Sequence, residues 1–423
     1  MRPTTMRRRV VHDEIDLGRK HKPDYWLLML MALLLAIGLI VVYAISPALA
    51  ITNNVSSNYY VSKQLIAICL SAVAFGVTSR LPMNQLRRLS KPLLYFAAVA
   101  TFLALLMPVN PAYPAHRWVR LGSLSFQSVE LVKFAVLIAM AGFLSARAKA
   151  GTLSDFNKTF KPLLIALVVT GIIIAGPQAV HAQSDLGSMG VMVAMVGTMC
   201  FVAGMPMRRL AYIAGILAVG VVLVILPSGY RRGRLETYIH PAANCQSTGY
   251  QACQSIISVG SGGAVGLGLG RSVQAFGYLP EAANDSIFAI YAEKFGFVGC
   301  VILLAILTAF FARIKVIAER TTDDFSRLIV VGVLAWLSVQ SLINIGAMIG
   351  ILPLKGITLP FISYGGTSVV FLAAAVGLVF QISRYTAYSA PRVTSEQGRT
   401  SNDHRIDGRR LRGAYHPDLG SRV

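Results

Sequence analysis

The sequence predicts an all-α polytopic membrane protein of about ten transmembrane helices, with a large exoplasmic loop between helices 7 and 8. Three observations predict it. Hydrophobic residues make up 55% of the chain and charged residues only 13%, against roughly 25% charged in a soluble domain. Apolar runs near the ~20 residues that cross a bilayer recur along the whole length. Lysine and arginine gather in alternate connecting segments, the signature of cytoplasmic loops. Together these exclude a soluble enzyme. The net charge of +21 follows from the one-sided loops and calls for no nucleic acid as a partner.

The first run, 25–48, follows a basic leader and ends in Ala48-Leu49-Ala50, which mimics a signal-peptidase site. Its apolar core exceeds the 7–15 residues of a signal peptide, so a retained anchor helix is expected. Further spans are expected at 61–79, 92–109, 125–145, 161–177, 187–205, 210–227, 286–312, 328–351 and 360–383. The fifth is short. Basic residues fall in the leader 1–24, in 80–91, 147–161, 208–209 and 313–327, and in the tail from Arg384. Segments 49–60 and 178–186 have none, and 350–359 has only Lys355. Both termini are therefore expected in the cytoplasm, and the span count is expected to be even. The domain reading is a basic cytoplasmic segment 1–24, a membrane domain 25–385 and a basic tail 386–423. The tail's composition predicts disorder and loose association with anionic headgroups.

Residues 228–284 form one long connection on the expected outer side, and connections of that length are usually functional. It opens with Tyr230-Arg231-Arg232-Gly233-Arg234, an unusual run of cations for that side. The run fits headgroup contact, and it equally fits a phosphate site, since arginine grips phosphate bidentately. The glycine-rich stretch Val259–Gly270 lacks the Lys-Ser/Thr of a P-loop and fits no G-x-G-x-x-G register. A turn-rich or re-entrant segment that brings backbone close to helices is the better reading. Cys245 and Cys253 share this loop, where oxidation is allowed, and are either bonded or free. Cys69, Cys200 and Cys300 lie in spans and read as small buried hydrophobes. No metal-ligand cluster emerges.

The ionisable groups inside spans carry the chemistry. A carboxylate costs about 2.5–3.5 kcal/mol at the centre of a membrane helix, and less near its ends. Asp285 opens the eighth span, where it is either an N-cap or a general base at the lipid surface. Asp185 opens the sixth in the same way. Gln127, Glu130 and Lys133 share one broad helix face, and the last two are spaced to pair. Glu293 and Lys294 point about 100° apart and cannot face one partner. In Gly356–Ser368, Pro360 fits the start of a helix, and Gly365-Gly366 allows close packing or a local break in the tenth span.

GITLPFISYGGTS (356–368) resembles the signature of the FtsW/RodA/SpoVE family, the SEDS peptidoglycan glycosyltransferases. So do HRWVRLGSLSFQSVELVK (116–133), AQSDLGS (182–188), YRRGRL (230–235) and SVGSGGAVGLGLGRSVQAFGYLPEAANDSIFA (258–289). The resemblance spans about 25–385. It implies a ten-helix bacterial inner-membrane enzyme that polymerises lipid II into glycan strands at the outer face. It also implies a class B penicillin-binding protein and other divisome proteins as partners. The family's essential aspartate falls on Asp285, its Arg-Trp pair on Arg117 and Trp118, its Glu/Lys pair on Glu130 and Lys133, and its loop arginine on Arg231. Glu281, Ser363, Gly365 and Gly366, from the two motif segments, join these as substrate-side or pyrophosphate-binding candidates.

The implied reaction is an inverting transfer. Asp285 takes the acceptor proton as general base, held ionised by its place at a helix N-terminus. Arg231, Arg117 and Lys133, or a divalent cation such as magnesium or manganese, offset the pyrophosphate charge. YLPEA and GITLPF lean towards the FtsW-like, cell-division branch and hence the division septum, with a RodA-like elongation enzyme as the alternative. A lipid II flippase and a non-catalytic scaffold are the competing classes. Departures from the family pattern stand at Ser128, Val129, Ser184, His240, Asn284, Ser286 and Lys294, and none touches Asp285.

Overall fold

Ten apolar segments become helices, in the order expected. The computed structural model describes residues 21–107, 118–121, 124–176, 185–227, 229–240, 245–247 and 249–386. Helix α1 spans Tyr25–Asn53, α2 Tyr59–Thr78, α3 Met83–Leu106, α4 Ser128–Lys149, α5 Lys161–Ala175, α6 Leu186–Val202 and α7 Met207–Ile225. After α7 come two short helices, α8 (Gly229–Ile239) and α9 (Tyr250–Ser261). Then follow α10 (Ile287–Arg320), α11 (Asp324–Met348) and α12 (Gly366–Ile382). Among the described residues, nine helices are long and apolar enough to cross a membrane, and α6 is a shorter apolar helix. The leader 1–20 and the tail from 387 lie outside the described residues, and with them the expectation of a disordered tail.

Burial sorts these helices into an inside and an outside. Of the most apolar windows, 67% of α4, 67% of α11 and 78% of α12 are buried, against 6% of α7 and 17% of α2. The inner three pack on one another, while α2 lies along α12, α3 along α4, and α6 and α10 along α11. Phe96, Phe102, Tyr212, Leu223 and Ile302 stay exposed. In water such side chains would cost free energy; against lipid tails they cost little, because lipid is as apolar as a protein interior.

Four boundaries differ from expectation. Helix α3 begins at Met83 rather than 92, because the basic stretch 80–91 is amphipathic: Leu86 is buried while Arg87 and Arg88 are exposed. Helix α10 likewise continues past 312 to Arg320. Ahead of α4 an antiparallel hairpin forms, β1 (Trp118–Leu121) with β2 (Leu124–Gln127), pairing Trp118 with Gln127 and Leu121 with Leu124. Its signal was the apolar/polar alternation on either side of Gly122-Ser123. Finally, Pro360 does not start a helix. Residues 352–365 are an irregular loop in which Phe361 is left-handed (φ 64°), and α12 begins at Gly366.

The glycine-rich stretch is the turn-rich, closely packed segment expected, and it serves a break in α10. Gly296 leaves the helical region (φ 64°, ψ −165°) and divides α10 in two. The amides of Leu267 and Gly268 donate to the carbonyls of Glu293 and Lys294, at 2.9 and 3.0 Å. Phe297 and Val298 donate to Gly263 and Ala264, at 2.9 and 3.0 Å. The break thus leaves these backbone groups satisfied, which is the condition for irregular backbone at membrane depth. A Cβ on Gly266 would lie 2.2 Å from the Lys294 oxygen, so no larger residue fits there. Glu293 and Lys294 do face different partners. The Glu293 carboxylate accepts from Ser272 Oγ (2.6 Å) and from the amides of Val273 (2.9 Å) and Gln274 (3.2 Å). Lys294 Nζ donates to the Leu269 carbonyl at 2.6 Å. Cys245 and Cys253 are bonded, tying α9 to the turn before it.

Candidate active site

Asp285 sits in the turn that leads into α10. That turn is held internally: the Ser286 hydroxyl donates to the Pro280 carbonyl (2.9 Å), and the Asn284 and Ser286 amides donate to the Glu281 carbonyl (2.9 and 3.2 Å). Ser286, not Asp285, is the N-cap of α10. The carboxylate is therefore not placed by capping, and the N-cap alternative for it does not hold. Instead its Oδ1 accepts from Gln251 Nε2 of α9 at 3.4 Å. Its backbone carbonyl accepts from Asn344 Nδ2 of α11 at 2.7 Å.

The signature loop forms the other wall. Gly356, left-handed at φ 64°, comes so close that a Cβ there would lie 3.5 Å from Asp285 Oδ2. The Tyr364 amide donates to the Ala283 carbonyl at 2.8 Å, joining the loop directly to the turn that carries Asp285. Between the two runs a crevice too narrow to admit a water molecule, lined by Asp285, Asn344, Lys355 and Gly356 together with Ile343 and Met348. Half-buried Asp285 thus meets three separate stretches of chain, from α9, α11 and the 356–368 loop.

A buried polar chain fixes that loop from behind. Lys133 Nζ lies 2.8 Å from Glu130 Oε1, with both side chains at most 5% exposed. The ammonium also donates to Gln340 Oε1 (3.2 Å) and stands 5.1 Å from the centre of the Trp336 ring. Trp336 Nε1 donates to the same Gln340 oxygen at 2.8 Å. Gln340 Nε2 then donates to the Thr358 carbonyl (3.0 Å) and hydroxyl (3.2 Å), and the Thr358 and Ser368 hydroxyls are 3.2 Å apart. One turn along α11, Asn344 also holds the Ile357 carbonyl at 2.6 Å. The ion pair therefore supports the loop opposite Asp285 through Gln340.

The remaining candidates separate into groups. Ser363 is buried, and its hydroxyl accepts from the Leu359 amide at 2.7 Å, so it shapes the loop. Gly365 caps α12 and Gly366 is its first residue. Glu281 is exposed, left-handed (φ 52°) and bonded to Asn284. Arg231 is buried, with its terminal nitrogens on the carbonyls of Val224 (2.9 Å), Ala175 (2.9 Å) and Gly176 (2.8 Å). There it satisfies carbonyls at the C-terminal ends of α5 and α7, as basic side chains often do. Asp185 caps α6, accepting from the Ser188 amide (3.0 Å) and hydroxyl (2.9 Å). Trp118 contributes backbone to β1, and Arg117 lies outside the described residues.

Four residues of the site escaped the sequence reading: Gln251, Gln340, Asn344 and Lys355. Two of them carried a signal. Gln340 and Asn344 are amides spaced i, i+4 in an otherwise apolar helix, and so share one face. Among the described residues, no three His, Cys, Asp or Glu side chains gather to hold a metal ion.

Residues 25–388 match the family described as cell cycle protein, FtsW/RodA/SpoVE. The chain is 34% identical over 371 residues to stage V sporulation protein E of Bacillus subtilis (strain 168), covering 88% of this chain and 99% of that protein. It is 35% identical over 376 residues to the "probable peptidoglycan glycosyltransferase FtsW" of Dichelobacter nodosus, covering 87% and 92%. Among solved structures, a chain from a peptidoglycan synthase complex that coordinates polymerization and crosslinking superposes with a TM-score of 0.68 at 26% identity, over 86% of this chain and 99% of that one. The rod shape determining protein RodA of Thermus thermophilus gives 0.62 at 25% identity, over 86% and 98%.

Proposed function

The chain belongs to the FtsW/RodA/SpoVE family of cell cycle proteins, and on that premise we propose that it is a peptidoglycan glycosyltransferase that polymerises lipid II. The observation that carries the reading is Asp285, free of the cap position and placed against Asn344, Gly356 and Lys355 in one crevice. The Asp285 carboxylate lines this crevice with Asn344 and Lys355 among otherwise apolar residues, the mix of a few polar groups on apolar walls that suits a lipid-linked sugar.

In the proposed step the acceptor hydroxyl oxygen attacks the anomeric carbon of a polyprenyl-pyrophosphate-linked glycan. The new glycosidic bond forms as the bond to pyrophosphate breaks, with inversion from α to β. The hydroxyl proton passes to Asp285, and the electron pair of the broken bond leaves with the pyrophosphate. Cations beside the crevice offset the charge that develops. Lys355 is assigned this role here, and the family resemblance implies the same role for Arg117. Lys133 and Arg231 meet protein oxygens: Lys133 supports the 356–368 loop through Gln340, and Arg231 ties α8 to the ends of α5 and α7. A divalent ion would rest mainly on pyrophosphate oxygens, as magnesium commonly does, with few protein ligands.

The same reading places the site at the outer face of the cytoplasmic membrane, with both termini inside. It gives the enzyme a class B penicillin-binding protein as transpeptidase partner and the division septum as its place of work. The test is reconstitution of the purified chain in lipid with labelled lipid II, with and without such a partner. Glycan ladders on a gel are expected. Movement of intact lipid across the bilayer with no polymer formed would instead make the chain a transporter.

A further inference from the structure

We infer that Gln251 is a positioning residue for Asp285, and that the Cys245–Cys253 bond acts on turnover by holding the helix turn that carries it. The inference rests on the glycosyl-transfer reading above and adds to it the group that aims the base. Gln251 Nε2 donates to Asp285 Oδ1 at 3.4 Å and to Ser286 Oγ at 3.1 Å. The neighbours fix which way this amide faces. The one proton of the Ser286 hydroxyl goes to the Pro280 carbonyl at 2.9 Å, so towards Gln251 that oxygen can only accept. An ionised carboxylate likewise only accepts. Gln251 must therefore turn its nitrogen, not its oxygen, to both atoms. One nitrogen thus spans the base and the N-cap of α10. With Oδ1 held from α9, Oδ2 is turned to the signature loop, 3.5 Å from where a Cβ on Gly356 would lie.

Gln251 stands in the first turn of α9. That helix is 12 residues long, its N-cap is Gly249, and no side chain caps it. A helix of this length is marginal in water, and its ends fray first. The far end is fixed by α10: Ser258 Oγ donates to the Ala289 carbonyl at 3.0 Å, and Gly262 packs so closely on the Ala292 carbonyl that no Cβ fits. The near end is fixed covalently. Cys253, in the same turn as Gln251 and 6% exposed, is bonded to Cys245. A bond across 8 residues limits how far that turn can open. It stands in for the missing cap, and the residue it steadies is the one that reaches Asp285.

The test is single-turnover transfer from labelled lipid II by the full chain in lipid, measured across pH. Gln251→Met keeps the length of the side chain and removes the donor. Its transfer rate should fall roughly 3- to 30-fold, the range for one long hydrogen bond to a charged group, with lipid II binding unchanged. The acid limb of its pH–rate profile should move to higher pH, because the lost N–H favours the ionised carboxylate. Lys355 in the crevice and Glu281 in the same turn, the titratable neighbours, are unchanged in every variant. Gln251→Glu, of native size, places a second carboxylate at Oδ1 and should move that limb further; it also serves if the methionine variant does not fold. A packing role would lower the melting temperature and leave the rate and pH profile of the folded fraction native, which overturns the inference. The second arm removes the bond with Cys245→Ser and Cys253→Ser together. Transfer should slow in the native chain yet by less than about twofold in the Gln251→Met background, as coupled sites require. Equal slowing in both backgrounds would break the link between bond and base. Failure of the native chain to form any polymer would instead refute the reading beneath the inference, and is scored before any variant is compared.

Discussion

Replacing Lys133 with methionine tests the buried chain that supports the site. The substitution keeps the length and apolar stem of the side chain and removes only the ammonium. At 2.8 Å from Glu130, the Coulomb attraction is about 6 kcal/mol at an effective dielectric of 20. Desolvation of both ions offsets much of it, so the intact pair contributes little net stability. Breaking it is a different matter, because Glu130 stays buried with no counter-charge. The expected loss for Lys133→Met is about 3–5 kcal/mol, and Glu130→Gln together with Lys133→Met should recover most of it. Denaturant unfolding of the purified protein in detergent is the assay, read with a melting curve for each variant. A loss under about 1 kcal/mol for the single variant would refute the burial argument. A double variant as unstable as the single one would refute the pairing.

Asp323 gives an acid-side prediction. Burial raises its pKa, but hydrogen bonds from the Ser326 hydroxyl and amide and from Arg87 outweigh that and hold it below 3.8. Its stabilisation is present above 3.8 and is lost as pH falls through the lower folded value. Asp323→Asn should therefore melt with a shallower dependence on pH below about 4, and equal slopes would contradict this. Gly266→Ala should prevent the broken helix from closing on its loop, since the added carbon meets the Lys294 oxygen at 2.2 Å. A melting temperature matching the native protein would show the contact to be slack. Reducing the Cys245–Cys253 bond, with its separation of 8 residues, should cost about 2.5 kcal/mol by loop entropy. A paired Cys245→Ser, Cys253→Ser variant with unchanged unfolding would overturn that.

The number and order of apolar helices were legible because lipid imposes a strict length and composition on each span. Helix ends were less so. Arg87 and Arg88 read as loop, yet an amphipathic turn at a membrane surface stays helical, and α3 begins before them. Asp285 and the signature loop were both visible as motifs, but not their meeting. Nothing in the spacing of Asp285 and Gly356 says that α11 folds back to join them. That joining is the work of Gln340 and Asn344, two amides with no charge to mark them. Arg231 is a different case. An arginine in a cationic run suggests phosphate, whereas this one is drawn inward by carbonyls that two helices leave unpaired.

Single-turnover transfer by the purified protein, native against Asp285→Asn, tests the central claim most directly. The account predicts that the variant melts like the native protein, retains lipid II, and forms new glycosidic bonds at least about 100-fold more slowly, as loss of a general base requires. Native-rate transfer by a folded, lipid-bound Asp285→Asn would contradict it.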